Sequence, residues 1–154
     1  MKKFIFTLDL EADHASFADQ YNIFKDKASI HKVLRAISDR GVPITVFVVG
    51  KVIEDYPEII EIFTKFNSEF QLHSYSHRKD LPDSSREIEQ GVEAFTKYFG
   101  SPPEGYRAPC GLISNEGMYR LKKYGFIYDS SIFPSWYPNP FKYLGKSNQP
   151  YIIQ

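Results

Sequence analysis

Short apolar runs recur along this chain, and each is followed by a longer stripe of apolar residues at helical spacing. The short runs are rich in β-branched and aromatic residues, and most stop at a polar residue or a glycine. They predict strands at residues 3–10, 43–49, 69–72 and 126–128, and a short strand that leads into Tyr106. The stripes predict helices at residues 29–40, 57–66, 84–99 and 114–124.

The helix starts and stops have recognisable signals. Asp55 and Pro57 open the second helix, and Ser84 with Glu87 forms a capping-box pattern at the start of the third. Ser114 or Asn115 caps the fourth helix. Strand followed by helix, repeated along the chain, predicts an α/β fold with a parallel sheet or barrel.

We expect residues 1–154 to form a single domain, given the length of 154 residues. After Phe133 the spacing of prolines and Gly145 predicts a long irregular segment. Residues 151–153 look like the start of another strand, so five or six strands can be counted.

Polar residues stand where the predicted strands end. Asp9, His73, Arg107 and Asp129 all fall at or just after a strand's carboxyl end. In parallel α/β folds these ends share one rim, on which functional sites are assembled.

The charge balance narrows the classes of function. Nineteen Lys and Arg residues offset nineteen Asp and Glu residues, which disfavours a nucleic-acid partner. The chain contains no apolar stretch long enough to span a membrane and no signal-peptide core, so we expect a cytoplasmic protein. Cys110 is the only cysteine, which excludes an internal disulfide.

His73 and His77 are spaced so that both imidazoles could reach one metal ion. If the segment forms a helical turn, positions i and i+4 lie on the same face. Capping or surface histidines are the alternative interpretation of the spacing.

Three carboxylates could complete such a site. Asp9, Glu11 and Asp13 alternate along the first strand, and strand geometry would send all three to one side. Two histidines and one carboxylate suit zinc or another divalent transition ion, with positions left for water and substrate. An acidic loop tip is the alternative.

Arg107 lies in a proline-stiffened loop, where its fixed charge can orient an acid. Asp129 is a suitable partner for it. An ordinary surface arginine, and an aspartate that caps a turn, are the alternatives.

In combination, these residues resemble the NodB-type polysaccharide deacetylases, which form carbohydrate esterase family 4. The family's first and second motifs are similar to residues 7–10 (Thr-Leu-Asp-Leu) and 73–77 (His-Ser-Tyr-Ser-His). Its third and fourth are similar to residues 107–109 (Arg-Ala-Pro) and 129–131 (Asp-Ser-Ser), and a strand motif is similar to residues 45–50. The resemblance runs in order from about Phe4 to Phe133.

The resemblance implies a distorted (β/α) barrel of the seven-stranded NodB type. It also implies a hydrolase that removes an N-acetyl or N-formyl group from an amino sugar or polysaccharide. One divalent metal ion is implied, zinc by expectation, with cobalt or nickel as alternatives.

The resemblance also implies roles for individual residues. Asp9 would be the general base, and His73 and His77 would bind the metal. Arg107 and Asp129 would position the acid and base groups. The backbone N–H of Cys110, which stands in the family's tyrosine position, would face the oxyanion.

Two positions depart from the family's pattern. Leu10 replaces the aspartate that binds the metal, so Glu11 is the expected ligand, with Asp13 in reserve. No histidine follows His77 in the sequence, whereas the family takes its general acid from a late histidine. We therefore expect an incomplete barrel that lacks its C-terminal part.

Other functions stay open at this point. One is an incomplete deacetylase relative that binds metal or carbohydrate without efficient turnover. Another is a different metallohydrolase, such as a phosphoesterase, on a parallel α/β scaffold. The substrate, the source of the general acid and the oligomeric state are left undecided.

Overall fold

Among the described residues, five parallel strands form one sheet in the order β1-β2-β3-β4-β5. The computed structural model describes residues 5–12, 20–78, 80 and 83–133. The strands are β1 (Phe6–Leu10), β2 (Ile44–Val48), β3 (Ser68–Leu72), β4 (Gly105–Tyr106) and β5 (Tyr128–Asp129). All four strand pairs are parallel, as the alternation of strand and helix predicts.

In the part of the chain that the structure describes, five α-helices connect the strands. They are α1 (Lys27–Ser38), α2 (Gly50–Asp55), α3 (Pro57–Thr64), α4 (Ser85–Phe99) and α5 (Asn115–Lys123). Short 3-10 turns occur at Asn22–Lys25 and Pro109–Gly111. The four predicted helices are present with ends shifted by a few residues, but α2 was not predicted. Its first two N–H groups, from Gly50 and Lys51, donate to the carbonyls of Ser74 and Tyr75, a distant contact that local sequence does not encode.

Alternation along the strands separates a core face from a site face. Leu10, Val46, Val48 and Leu72 are buried in the hydrophobic core beneath the helices. Thr7, Asp9 and Phe47 lie at the alternate positions and therefore point to the opposite face. The same alternation sends the side chains of Asp9 and Glu11 to one side of the sheet, as predicted.

The sheet curls strongly. In a flat sheet, β1 and β4 would be about 14 Å apart. Arg107, which directly follows β4, nevertheless donates to Asp9 Oδ1 at 2.7 Å and to Thr7 Oγ1 at 3.1 Å, both on β1. Only a curved sheet brings these residues together, as in a barrel.

Several expectations fall outside the described residues. These are the irregular segment beyond Phe133 and the strand at 151–153. The single-domain assignment of residues 1–154 stays a prediction. Within the part of the chain that the structure describes, no helix is long and apolar enough to cross a bilayer.

Candidate metal centre

One row of residues across the sheet gathers the candidate site. Leu10, Leu72 and Tyr106 occupy one paired row, and the next residue on each strand is Glu11, His73 or Arg107. Because the paired row faces the core, the row that follows faces the inside of the curved sheet. The carboxyl ends of the strands thus place a carboxylate, an imidazole and a guanidinium at one rim, where the sequence predicts His73 and Arg107.

The segment between the two histidines is a loop and not the helical turn that would place positions i and i+4 on one face. Ser74 has a φ of 60° and His77 a φ of 58°, in the left-handed region that costs non-glycine residues about 1 kcal/mol each. The backbone N–H of His77 donates to Ser74 Oγ at 3.1 Å, which stabilises this turn. The loop still places the two rings side by side, with centroids 5.1 Å apart.

Glu11, His73 and His77 present three ligand atoms to one point. One atom from each residue lies within 4.8 Å of the others. Glu11 Oε2 is 3.1 Å from His73 Nε2, and it also contacts His77 Nε2. His73 is fully buried, whereas Glu11 and His77 are partly exposed, so the cluster opens to solvent on one side.

The hydrogen bond of His73 to the main chain shows what this cluster can hold. His73 Nδ1 lies 2.7 Å from the carbonyl oxygen of Arg107, and because a carbonyl carries no proton, Nδ1–H must be the donor. In the neutral ring, Nε2 is then an acceptor that faces an acceptor oxygen of Glu11. Such a pair is stable only with a proton or a cation between the two atoms. The donor set therefore fits a divalent ion, and the contact to Arg107 is the usual outer support of a metal-binding histidine.

The electrostatics of Glu11 agree with this interpretation. Burial alone would raise its pKa, but the close contacts of its carboxylate with the His73 and His77 rings and the electrostatic interaction with those rings outweigh burial. The pKa of Glu11 is consequently held well below its ordinary value, and the carboxylate is ionised at neutral pH. An ionised carboxylate is the form that binds metals.

Asp9 lies beside the cluster without joining it. Its Oδ2 is 3.9 Å from His73 Nε2, while its Oδ1 accepts from Arg107 Nη1 at 2.7 Å. Arg107 is itself fixed by Thr7, by Ser130 and by the ring of Phe47, whose centroid is 4.1 Å from Cζ. Asp9 is therefore an oriented, solvent-accessible carboxylate next to the candidate metal ligands.

Asp129 does not pair with Arg107, which corrects the expected ion pair. Its carboxylate instead accepts from Ser131 Oγ at 2.5 Å and from Ser131 N at 3.0 Å. The Ser131 hydroxyl in turn accepts from Ala108 N at 2.7 Å, so Asp129 holds the loop that follows Arg107. Burial raises the pKa of Asp129, and the hydrogen bonds from Ser131 offset only part of that rise.

A family model described as polysaccharide deacetylase matches residues 15–128 of this sequence. The chain belongs to the polysaccharide deacetylase family. The match includes both histidines and Arg107, which confirms the predicted resemblance. It begins after Asp9 and Glu11, so the assignment of those two carboxylates depends on motif resemblance and on the geometry above.

Relatives in the family share both sequence and fold. A peptidoglycan deacetylase of Helicobacter pylori is 29% identical over 114 residues, which is 71% of this chain and 39% of that protein. The crystal structure of a candidate polysaccharide deacetylase from Mycobacterium smegmatis has 25% identity and a TM-score of 0.64. It aligns with 83% of this chain and 50% of its own.

A further structural neighbour is described as a pseudoenzyme. It is a CE4 family pseudoenzyme from Bacillus anthracis, at 17% identity and a TM-score of 0.62, covering 83% of this chain and 43% of that protein. The shared fold confirms the predicted α/β architecture of the distorted (β/α) barrel type. The chain spans half or less of the length of these three relatives.

Cys110 and Asp13 are the remaining predicted site residues. Cys110 is exposed and has a φ of 55° inside the 3-10 turn that follows Arg107, and its thiol does not belong to the cluster. Asp13, the reserve ligand, lies outside the described residues. Leu10 stands at the position of the second aspartate in the family's first motif, and its side chain is buried in the core. Glu11 is the carboxylate that the described structure offers instead of that aspartate.

Glu87 contacts the loop between the two histidines, whereas its sequence pattern predicts a contact at the start of α4. The capping-box pattern predicts that its carboxylate returns to the N–H of Ser84. Only half of that box forms: Ser84 Oγ accepts from Glu87 N at 3.3 Å. The Glu87 carboxylate instead accepts from Ser76 N at 2.8 Å and from Ser76 Oγ at 2.6 Å, within the histidine loop. No local sequence signal distinguishes the two partners.

Proposed function

We propose that this chain is a divalent-metal-dependent hydrolase that removes an N-acetyl or N-formyl group from an amino sugar or polysaccharide. The observation that carries the proposal is the convergence of Glu11, His73 and His77, whose ligand atoms lie within 4.8 Å of one another. Membership of the polysaccharide deacetylase family supports a hydrolase. The metal, the substrate and the residue roles are proposed here on the chemistry of the site.

Zinc is the proposed ion, with cobalt or nickel as functional substitutes. Two imidazole nitrogens and one carboxylate oxygen match a catalytic zinc site, which keeps a position open for water. Glu11, His73 and His77 would hold such an ion, which would supply activation of water and polarisation of the amide carbonyl. Glu11 is the proposed third ligand.

Asp9 is the proposed general base. It is solvent-accessible, and Arg107 fixes one of its oxygens while the other lies 3.9 Å from His73 Nε2. A carboxylate held in this way can accept a proton from a water at the neighbouring site without swinging away. Arg107 is a positioning residue for Asp9.

Cys110 and Asp129 are proposed to serve the substrate side of the reaction. The backbone N–H of Cys110 would donate to the oxyanion that develops on the amide. Through Ser131, Asp129 fixes Ala108, two residues before Cys110. The role of Asp129 is therefore to hold this loop rather than to pair with Arg107.

The proposed substrate class is an N-acylated amino sugar within a polysaccharide. The relative from Helicobacter pylori is a peptidoglycan deacetylase, which makes peptidoglycan fragments the first substrates to test. An N-acetylglucosamine oligomer presents the same amide on a simpler backbone.

A second candidate is binding of metal or carbohydrate without efficient turnover. Among the described residues, His77 is the last histidine. The carboxylate of Asp129, on β5, already accepts a hydrogen bond from Ser131. These observations leave the general acid unassigned. Membership of the polysaccharide deacetylase family argues against an unrelated metallohydrolase.

Acetate release separates the two candidates. The protein is stripped with a chelator, reloaded with zinc or cobalt, and incubated with peptidoglycan fragments and N-acetylglucosamine oligomers. The first candidate requires metal-dependent acetate release that Asp9→Asn abolishes. Stoichiometric metal binding without acetate release from any substrate supports the second candidate. Failure to bind metal contradicts the metal-dependent forms of both.

A further inference from the structure

The histidine loop, residues 73–77, must be held in a shape that its sequence does not favour. Two of its residues, Ser74 and His77, have positive φ angles although neither is glycine. The His77 ring must nevertheless stay against Glu11 for the three ligand atoms to converge. Contacts from outside the loop therefore have to maintain its conformation.

Neighbouring elements fix the first half of the loop through the main chain. His73 N donates to Val48 O at 2.9 Å, Gly50 N to Ser74 O at 3.0 Å, and Lys51 N to Tyr75 O at 2.9 Å. These bonds account for residues 73–75. They do not reach Ser76, the residue directly before His77.

Glu87 fixes the second half of the loop. Both of its carboxylate oxygens bind Ser76: Oε2 accepts from the backbone N–H at 2.8 Å and Oε1 from the hydroxyl at 2.6 Å. Glu87 is only 5% exposed, and it lies in the first turn of α4, where the helix dipole favours a negative charge. This two-point contact orients the peptide unit that carries His77.

Burial of a glutamate side chain without a cationic partner is unusual. Among the described residues, no Lys, Arg or His nitrogen lies within 4.0 Å of its carboxylate. A helix cap alone does not require a buried carboxyl side chain, because exposed serine or aspartate caps serve equally well. Burial of this carboxylate against the loop suggests a function tied to Ser76.

We infer that Glu87 is a positioning residue of the metal centre, which holds His77 in ligating orientation through its two hydrogen bonds to Ser76. The inference depends on the metal site proposed above. Outer groups that orient metal ligands typically change metal affinity by 10- to 100-fold when removed. The affinity for cobalt, used as a spectroscopic substitute for zinc, should show this effect directly.

Four variants test the role. Glu87→Ala removes both hydrogen bonds, and Glu87→Gln keeps an acceptor for Ser76 N–H without the charge. Ser76→Ala removes the hydroxyl contact alone. Glu89→Ala, at an exposed position on the same helix, is the matched control for loss of one negative charge.

The readouts are the cobalt dissociation constant and the visible spectrum of the cobalt-saturated protein. Glu87→Ala should raise the dissociation constant by about 10- to 100-fold and alter the cobalt bands, while Glu89→Ala should match the parent. Glu87→Gln and Ser76→Ala should fall between them. Adding Ser76→Ala to Glu87→Ala should cause no further loss, because the two act through one contact.

The results distinguish failure of the metal centre from failure of the role of Glu87. A parent protein that binds no cobalt overturns the metal centre itself. A parent that binds cobalt, together with a folded Glu87→Ala protein of equal affinity and spectrum, overturns only the role of Glu87. If Glu87→Ala fails to fold, Glu87→Gln and Ser76→Ala decide the question, and parental affinity in both overturns the inference.

Discussion

His73 donates through Nδ1 to the backbone carbonyl of Arg107 at 2.7 Å, and this contact decides which nitrogen of His73 faces Glu11. The side chain of the same arginine holds Asp9 Oδ1 at 2.7 Å. Arg107 thus orients the proposed ligand with its main chain and the proposed base with its side chain. Substitutions that change only the side chain should separate these two functions.

Removal of His77 should abolish metal binding. Glu11 and His73 alone offer two ligand atoms, too few for a tetrahedral zinc site. We expect His77→Ala to contain less than about a tenth of the zinc of the parent after dialysis, measured by elemental analysis. His31→Ala is the control, since His31 contacts the ring of Phe66 on the helical side of the sheet. Equal zinc in the parent and His77→Ala would exclude His77 as a ligand.

The two carboxylates of β1 should respond differently to loss of charge. Asp9→Asn should retain zinc but lose about 100-fold or more in turnover, because a general base contributes roughly that factor. Glu11→Gln should lose zinc, since a neutral amide is a weak ligand. The comparison requires zinc content and acetate release on the same samples. Zinc loss in Asp9→Asn would make Asp9 a ligand instead.

Arg107→Lys should impair turnover more than metal binding. A lysine ammonium cannot contact Asp9, Thr7 and Ser130 together as the guanidinium does. We expect turnover to fall by about 10- to 100-fold through misplacement of Asp9, with zinc affinity preserved because the bond to His73 uses the carbonyl. Arg78→Lys, at an exposed position, is the control. A parallel loss of zinc affinity would contradict this separation.

Asp129 should make folding stability depend on pH. Its pKa is raised from 3.8 by burial, so the folded protein binds more protons than the unfolded chain over that interval. Stability should therefore decrease as pH rises from 3.8 through the folded-state pKa, by at most about 1.4 kcal/mol per pH unit. Asp129→Asn should lack this component.

Urea unfolding at a series of pH values checks the sign. The free energy of unfolding of Asp129→Asn, minus that of the parent, should grow as pH increases above 4. A constant offset is expected from altered hydrogen bonds to Ser131. Parallel profiles across the series would mean that Asp129 does not contribute to the pH dependence.

Gly50→Ala should disturb the histidine loop. A Cβ at this position would lie 2.7 Å from Tyr75 Cδ2 and 3.2 Å from Tyr75 Cα. Because one of those atoms is backbone, we expect a loss of about 1–3 kcal/mol in the free energy of unfolding and weaker cobalt binding. Lys51→Ala at the neighbouring exposed position is the control. Unchanged stability would show that the loop moves without cost.

Much of the fold was predictable because its signals are local. Apolar strands and amphipathic helices follow from residue spacing, and the rim position of His73 and Arg107 follows from where the strands end. The turn at Ser74 and His77 was not predictable, because only a small fraction of serine and histidine residues adopt a positive φ. His-x3-His spacing fits a helix as well as this loop, and only the structure distinguishes them.

The interaction partners of Asp129 and Glu87 were not predictable from the sequence either. Asp129 is closer than Asp9 to Arg107 in sequence, yet the curvature of the sheet brings β1 to Arg107 instead. Glu87 matches a capping box, and its true partner depends on how α4 packs against the histidine loop. Both assignments depend on tertiary geometry that no local pattern contains.

The curvature that brings Arg107 to Asp9 also sets when the site can form during folding. The contacts that join Glu11 to His73 and Thr7 to Arg107 connect residues 62 and 100 positions apart. Contacts of such separation, across a parallel sheet, form late and slowly. Recovery of cobalt binding after dilution from denaturant should therefore lag behind the return of helical signal, so that the metal centre reports the last stage of assembly.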